Sequence, residues 1–422
     1  MDESLKNCMP EMLTGAALDE AMRIVPVYDA EVMRAAEAER LVALEDFYNV
    51  YIPTSMGREV YAKLYLALLR SMKKKLSMAA IRQFGENRNR IRGKEFTSII
   101  GGSDSFTIIG DSGIGKSATV SRVIDMISSD RVIDLPNNMR IIPCVQVQTP
   151  ADCSVKGLLF EILRKVDEIL DTRYYSNATQ SGSTADMLIG SVSTVALNHL
   201  GLLVVDEIQN IVNNKNGSTV VGMLTQLINN AGISICMVGT PKSALFFGQE
   251  MMLARRSLGL SYGPFSYDET FEGFCRELFQ YQYVQNRTKL DEGVLQWLYN
   301  HSGGNASVVV SLLHDAQEIS IMDGSERLDI SSLEKAYKQR LAMLHDYLYQ
   351  EPVQGKKPTK SRSAASVDSR VQGGSLPDGT SADRNLMEET FITDIVARAK
   401  RLQKDVAAEL VFHGVEMVEV SA

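Results

Sequence analysis

The sequence predicts an α/β protein: a mostly parallel sheet with helices on both faces, then a small all-helical domain and a flexible C-terminal tail. Three observations predict it. Between residues 105 and 240 short apolar runs alternate with helix-period segments, the pattern of a parallel sheet covered on both sides. After residue 269 the apolar runs stop and helical spacing continues alone. From 351 to 385 aromatic residues are absent and Gly, Ser and Pro are frequent, so the segment cannot bury enough apolar area to order itself.

The elements follow in chain order. Residues 1–55 read as an irregular arm holding one helix, Asp29–Tyr48, whose AEVMRAAEAERLVALEDF has helical periodicity. The pattern breaks at Pro53 and Gly57. A second helix is expected over Arg58–Phe84, with Val60, Leu64, Leu68, Met72 and Leu76 at i, i+4 spacing. The strands are FTIIG, IIPCVQVQ, GLLVVDEIQ and ISICMVGT, continuous apolar runs as a sheet buried on both faces requires. Helices fit between them over Lys116–Ser128, Val155–Leu170, Thr184–His199 and Thr219–Ala231. The helical domain is expected to hold segments Glu269–Gln285, Asp291–Ser302, Ala306–Met322 and Ser331–Tyr349. Past the linker, Leu386–Phe412 regains an apolar stripe at Phe391, Ile395, Ala399 and Leu402, readable either as a docking peptide or as a helix packed back on the body. The expected division is 1–55, an arm; 56–268, the sheet domain with its leading basic helix; 269–350, the helical domain; 351–385, the linker; 386–422, the docking helix.

With 422 residues, 45% hydrophobic and 23% charged, the chain can bury a full core without staples. Its five cysteines, Cys8, Cys144, Cys153, Cys236 and Cys275, are scattered and form no CxxC pair, which argues against a disulfide framework or a thiolate zinc site and for a reducing compartment. The opening residues MDESLKNCMPEM are acidic without an apolar core, unlike a signal peptide, and no run reaches the ~18 apolar residues a membrane span needs. The net charge is −8, so any nucleic-acid site must be a local patch. From Lys63 to Lys94 there are ten basic residues against one acid, Glu86, leaving −17 for the rest of the chain. Such asymmetry fits either an anionic partner or a solvated helix face.

GDSGIGKS, Gly110–Ser117, matches G-x-x-x-x-G-K-[ST] in full, follows an apolar strand and opens a helix. Gly110, Asp111, Ser112, Gly113, Ile114, Gly115 and the first helical residues Lys116, Ser117 and Ala118 would cradle phosphate with inward-facing amides and the helix dipole. Lys116 would reach the β- and γ-phosphates, and the Ser117 hydroxyl would bind Mg²⁺. LLVVDEIQ puts Asp206 and Glu207 at the C-terminal end of a strand, where α/β sheets bind ligands. Asp206 would hold the Mg²⁺ shell and Glu207 would polarise the attacking water. Thr240 ends the next buried strand, in MVGT, where its hydroxyl could bond the water or the γ-phosphate; a plain Gly-Thr-Pro turn is the alternative. Arg255 and Arg256, in MMLARRSLG, could reach a neighbouring subunit's γ-phosphate, or form an ordinary surface pair.

Together GDSGIGKS, IIPCVQVQTPADCSVKGLLFEILRKV, LLVVDEIQN, MVGTPKSALF and LARR resemble the AAA+ ATPases that regulate transposition, the TnsC/TniB group, over about Pro53 to Tyr349. The resemblance implies a P-loop AAA+ sheet with a helical lid. It also implies ATP and Mg²⁺ as cofactors, and a bacterial cytoplasmic location, nucleoid-associated when on DNA. The implied partners are double-stranded DNA, further copies of the chain in a ring or helical filament, a transposase and a target-selecting protein, with no membrane. ATP hydrolysis would disassemble the polymer. By position, Lys116, Ser117, Asp206 and Glu207 would serve the nucleotide and its hydrolysis, Thr240 would be the first sensor, and Arg255 the trans-acting finger with Arg256 as its alternate. The family's DNA contacts map onto Lys156, Arg164, Lys165 and Arg173, again with a solvated helix face as the alternative and with Lys63–Lys94 as a competing site. The family pattern fails at the second sensor: HSGGNASVV offers no arginine, and His301 and Asn305 stand there instead. An initiator or helicase-loader AAA+ protein shares the core, although the tail is polar and short for the winged-helix reader usual there. A nucleotide-switched scaffold is a third reading, against which Glu207 argues.

Overall fold

The computed structural model describes residues 9–77, 105–128, 132–135, 139–152, 154–180, 184–211, 217–231, 233–243 and 259–341. The chain divides into two compact units, Met1–Val353 and Gln354–Ala422, and every described residue lies in the first. The linker and the C-terminal helix expected beyond 351 therefore lie outside the described residues, as do 78–84 of the second expected helix and 342–349 of the last.

Among the described residues six strands form one sheet: β1 (Ser105–Gly110), β2 (Ile133–Leu135), β3 (Met139–Gln148), β4 (Leu200–Asp206), β5 (Ser234–Gly239) and β6 (Leu260–Tyr262). Their order is β2-β3-β4-β5-β1-β6, parallel throughout except for the antiparallel β2–β3 edge. Strand β5 therefore lies between β1, which leads into the glycine-rich loop, and β4, which ends in Asp206. All of β1, β4 and β5 is buried. Alternate residues feed opposite layers: Leu203, Val205, Ile235 and Met237 enter one core cluster, while Leu202, Val204, Cys236 and Val238 enter another. The short strands β2 and β6 were not expected. Each has three residues, too few to show a pattern.

Helices cover both faces, which makes the chain an α/β protein with a mostly parallel, doubly covered sheet. On the first face lie α5 (Val155–Leu170), α7 (Ala185–His199) and α8 (Gly217–Ala231), with α6 (Tyr174–Gln180) beside them; on the second lie α1 (Gly15–Met22), α3 (Ser55–Lys75) and α4 (Lys116–Ile127). Side-chain caps start several of them: Thr54 accepts from Gly57 N, Ser154 from Gly157 N and Thr184 from Met187 N. None of the described helices is long and apolar enough to cross a membrane.

The helical domain consists of α9 (Glu269–Leu278), α10 (Glu292–Ser302), α11 (Ala306–Met322) and α12 (Ile330–Ala336), around Phe271, Leu298, Val309, Leu312 and Leu333. Helix α9 ends seven residues before the expected Gln285. The Gln282 side chain explains the stop, because its amide donates to the Phe279 and Thr288 carbonyls and accepts from Thr288 N, supplying loop bonds in place of helical ones. After α12 the chain continues as a π-turn over Tyr337–Leu341.

The arm is more ordered than expected. It carries α1, and the single helix expected over Asp29–Tyr48 is three pieces: a 3₁₀ turn at Ala30–Arg34, α2 (Glu37–Leu44) and a second 3₁₀ turn at Glu45–Asn49. Extended backbone at Ala35 and Ala36 makes the break, letting the chain wrap so that Leu44 and Phe47 enter the helical domain's core. The arm thereby straps the helical bundle to the sheet's helices within one compact unit. On the sheet side Arg58 donates two hydrogen bonds to the Asp19 carboxylate at 2.7 and 2.8 Å, and Arg122 donates to the Met22 and Ala21 carbonyls. On the helical side the buried Arg40 holds Glu326 through two bonds of 2.6 Å and the Tyr283 carbonyl at 3.2 Å. Between these anchors a short bridge pairs Ile24 with Tyr51.

Candidate nucleotide site

The glycine-rich loop joins β1 to α4. Gly113 and Gly115 have φ of 83° and 93°, a region in which a side chain is strained, so the amides can turn inward only because glycine stands at both places. A Cβ on Gly113 would also lie 2.5 Å from Ser307 Oγ. Lys116, the first residue of α4, is buried, and its Nζ donates to the Asp111 carbonyl at 2.7 Å. Burial lowers its pKa from the usual lysine range, and the negative charges of Asp206, Asp111 and Glu207 oppose the shift.

The parallel register brings the end of β4 beside this loop. Ser117 Oγ donates to Asp206 Oδ2 at 2.9 Å, and the buried Asp206 also accepts from Glu207 N at 2.8 Å through Oδ1. Glu207 has φ of 57°, which turns the chain sharply out of β4 and into the cleft. The Gln209 amide donates to the Glu207 carboxylate, and its oxygen accepts from Thr240 N at 3.2 Å. Thr240 itself closes β5, and its buried Oγ1 finds no hydrogen-bond partner among the described residues.

These groups line a cleft of about 610 Å³. One wall is the stretch from Val50 to Met56 at the end of the arm, another runs from Tyr262 to Ser266 after β6, and a third is the start of α11. The helical domain touches the glycine-rich loop directly: Asn305 Nδ2 donates to the Ser112 carbonyl at 2.7 Å and Ser307 N to the Gly113 carbonyl at 2.9 Å. Asn305 also caps α11, its Oδ1 accepting from Ser307 N at 3.1 Å.

The nucleotide residues expected from sequence, Gly110 to Ala118 with Asp206, Glu207 and Thr240, thus meet at one edge of the sheet. Arg255 and Arg256 lie outside the described residues. Lys156, Arg164 and Lys165 share α5 and Arg173 follows it; none lines the cleft. Arg164 is paired with Glu161 at 2.6 Å and Glu168 at 2.5 Å, and Lys165 with Glu168 at 3.4 Å, so that surface mixes both signs, whereas Lys156 and Arg173 are exposed. Within the basic segment, Lys75 is buried: its Nζ donates to the last carbonyls of α7, Ala196 and Leu197, and desolvation lowers its pKa to about 7. His301 stacks on Trp297 with ring centroids 3.8 Å apart, and Asn305 is the residue of that pair that meets the loop. Sequence reading missed Gln209 and the arm and post-β6 walls.

The residues fit a nucleoside triphosphate and a magnesium ion. The loop supplies the positive-φ glycines of a phosphate cradle, the Ser117–Asp206 pair is an all-oxygen donor set suited to Mg²⁺, and Thr240, a residue of the cleft wall, has a buried hydroxyl with no hydrogen-bond partner among the described residues. The strand order, the loop and the helical lid define the class: a P-loop AAA+ fold. Residues 102–258 match the family model described as bacterial TniB protein, so the TnsC/TniB likeness holds over the segment running from just before β1 to just past Arg255 and Arg256. No curated protein matches the sequence. Among solved structures, the Aeropyrum pernix ORC1 protein in complex with DNA is similar at 15% identity and TM-score 0.42, covering 65% of this chain and 69% of that one. Drosophila ORC bound to DNA is similar at 12% identity and TM-score 0.46, covering 97% and 85%. Domain III of the Thermotoga maritima replication initiation protein DnaA is similar at 12% identity and TM-score 0.35, covering 62% and 92%.

Proposed function

We propose that the protein is an ATP-hydrolysing regulator of transposition that assembles on double-stranded DNA in its ATP-bound form and is released by hydrolysis. The observation that carries the reading is the meeting of Lys116, Ser117, Asp206, Glu207 and Thr240 in one lid-covered cleft, inside the segment that matches the TniB model. Lys116 binds the β- and γ-phosphates once its bond to the Asp111 carbonyl is exchanged for them. Ser117 and Asp206 hold Mg²⁺, which when bound neutralises charge on the phosphate oxygens. Glu207 accepts a proton from water, and the free Thr240 hydroxyl donates to the γ-phosphate or orients that water.

Assembly in this reading pairs the cleft of one copy with Arg255, or Arg256, of the next. DNA is held by exposed basic side chains, Lys156 and Arg173 with Arg164 and Lys165 where their carboxylate partners release them, or by the Lys63–Lys94 segment. Phosphate contacts of this kind make binding sequence-tolerant and strongly weakened by salt. In the same reading the assembled protein connects a target-selecting protein to a transposase.

The test combines sedimentation on duplex DNA with phosphate release. DNA and a non-hydrolysable ATP analogue together are expected to convert the protein to large assemblies, and Glu207→Gln to retain assembly while losing turnover by at least about 100-fold. Persistent monomer under both ligands would reject the reading; assembly with no measurable turnover in the parent would favour a nucleotide-switched scaffold.

A further inference from the structure

Gln209 stands two residues after Glu207 on the 3₁₀ turn Ile208–Ile211 that follows β4. The turn is pinned from both sides. Ile208 and Ile211 are buried in the sheet's core, and Asn210 Nδ2 donates to the Thr149 carbonyl at the end of β3 at 2.9 Å. A Cβ on Gly239 would lie 2.6 Å from Ile208 Cγ2, 2.6 Å from Ser243 Oγ and 3.1 Å from Gln209 Oε1, so the turn packs closely against the glycine that ends β5.

The orientation of that amide follows from its neighbours. Thr240 N–H can only donate, so the oxygen of Gln209 faces it, at 3.2 Å, and the NH₂ group is left for the Glu207 carboxylate, which can only accept when ionised. The donated bond goes to Oε2 of Glu207. Oε1 of Glu207 accepts no hydrogen bond among the described residues.

We propose that Gln209 is a positioning residue for hydrolysis, tying the Glu207 carboxylate to the backbone of Thr240 so that base and sensor move as one unit. The proposal rests on the reading of Glu207 as the base. It assigns Gln209 no contact with nucleotide: its amide acts through Glu207. A carboxylate on a left-handed residue at a strand end has no helix or strand to fix it, and this amide is its side-chain hydrogen-bond partner among the described residues. Losing such an anchor displaces the base, and displacement by about 1 Å costs up to about 100-fold in rate.

The experiment uses the full chain with duplex DNA and compares steady-state ATP turnover, ATP KM and equilibrium binding of a fluorescent ATP analogue. Gln209→Met keeps the length and removes both hydrogen bonds. Gln209→Glu keeps the shape and the acceptor for Thr240 N but loses the donor and sets two carboxylates together. Both are expected to lower kcat by at least about tenfold with KM and analogue Kd within about twofold of the parent. On a Glu207→Gln background, Gln209→Met is expected to change the residual turnover by less than about twofold, because its only route of action is gone. A purely structural role would instead weaken analogue binding along with rate. Parental kcat in both Gln209 variants, in an enzyme that Glu207→Gln inactivates, overturns the proposal alone, as does an equal loss on the Glu207→Gln background. Parental turnover by Glu207→Gln itself overturns the reading beneath it.

Discussion

Among the described residues two hydrogen bonds tie the lid to the glycine-rich loop, Ser307 N to the Gly113 carbonyl and Asn305 Nδ2 to the Ser112 carbonyl, and a side-chain substitution can isolate the second. Asn305 Nδ2 bonds the Ser112 carbonyl at 2.7 Å, while its Oδ1 caps α11 through Ser307 N at 3.1 Å. Asn305→Ala removes both functions. Loss of the cap costs about 1 kcal/mol. Loss of a buried hydrogen bond costs about 1 to 2 kcal/mol when it leaves a carbonyl unpaired. Asn305→Asp separates the two effects, because aspartate caps a helix as well as asparagine does but cannot donate, and it faces the Ser112 carbonyl with a negative charge. The cleft is formed between loop and lid, so the free energy holding them together contributes to nucleotide affinity. The aspartate variant is therefore expected to weaken binding of a fluorescent ATP analogue by roughly 5- to 30-fold, the equivalent of about 1 to 2 kcal/mol. Its midpoint of thermal unfolding should stay nearer the parent than that of the alanine variant, which carries the cap loss as well. Equal melting losses in the two variants with analogue affinity unchanged would refute the argument that Asn305 couples lid to loop.

Two further expectations concern buried charges. The Lys75 amine has a folded pKa of about 7 against a usual 10.5, so above pH 7 the unfolded chain binds the extra proton and stability rises with pH. Between pH 7 and 9 the parent should gain about 2 kcal/mol relative to Lys75→Met in urea denaturation, and parallel curves would contradict the burial of this amine. Arg40→Met strands Glu326 and is expected to cost about 3 to 5 kcal/mol, much of it regained in Arg40→Met/Glu326→Leu; an additive double variant would show that the strap is not a coupled pair.

Where a signal was local, it was legible in the sequence. The glycine-rich loop needs a strand before it, a helix after it and fixed glycines between, all within a dozen residues. The strands β1, β4 and β5 are buried along their whole length and read as largely apolar runs, and β3 is apolar from Ile141 to Val145. Helices α5 and α11 carry caps, Ser154 and Asn305, and their expected bounds match the structure. What was missed depends on distant partners. The edge strands β2 and β6 are three residues each and exist because a longer strand is there to pair with. The arm's helical period survives in Leu44 and Phe47, but the backbone breaks to follow the curvature of a core built from residues more than two hundred positions later. Lys75 counted as part of a basic surface until the carbonyl end of α7 claimed it. Gln209 lies beside Glu207 in sequence, yet its role needs Thr240, thirty-one residues away and brought close only by the β4–β5 pairing.

Binding of a nucleoside triphosphate in the cleft between loop and lid is the property on which hydrolysis and assembly both depend. Titration of the full-length protein with a fluorescent ATP analogue and Mg²⁺, against Lys116→Ala under the same conditions, measures this directly. Saturable one-site binding by the parent, weakened at least about 100-fold by the substitution, is the expected result; equal affinity in the two proteins, or none in either, would contradict it.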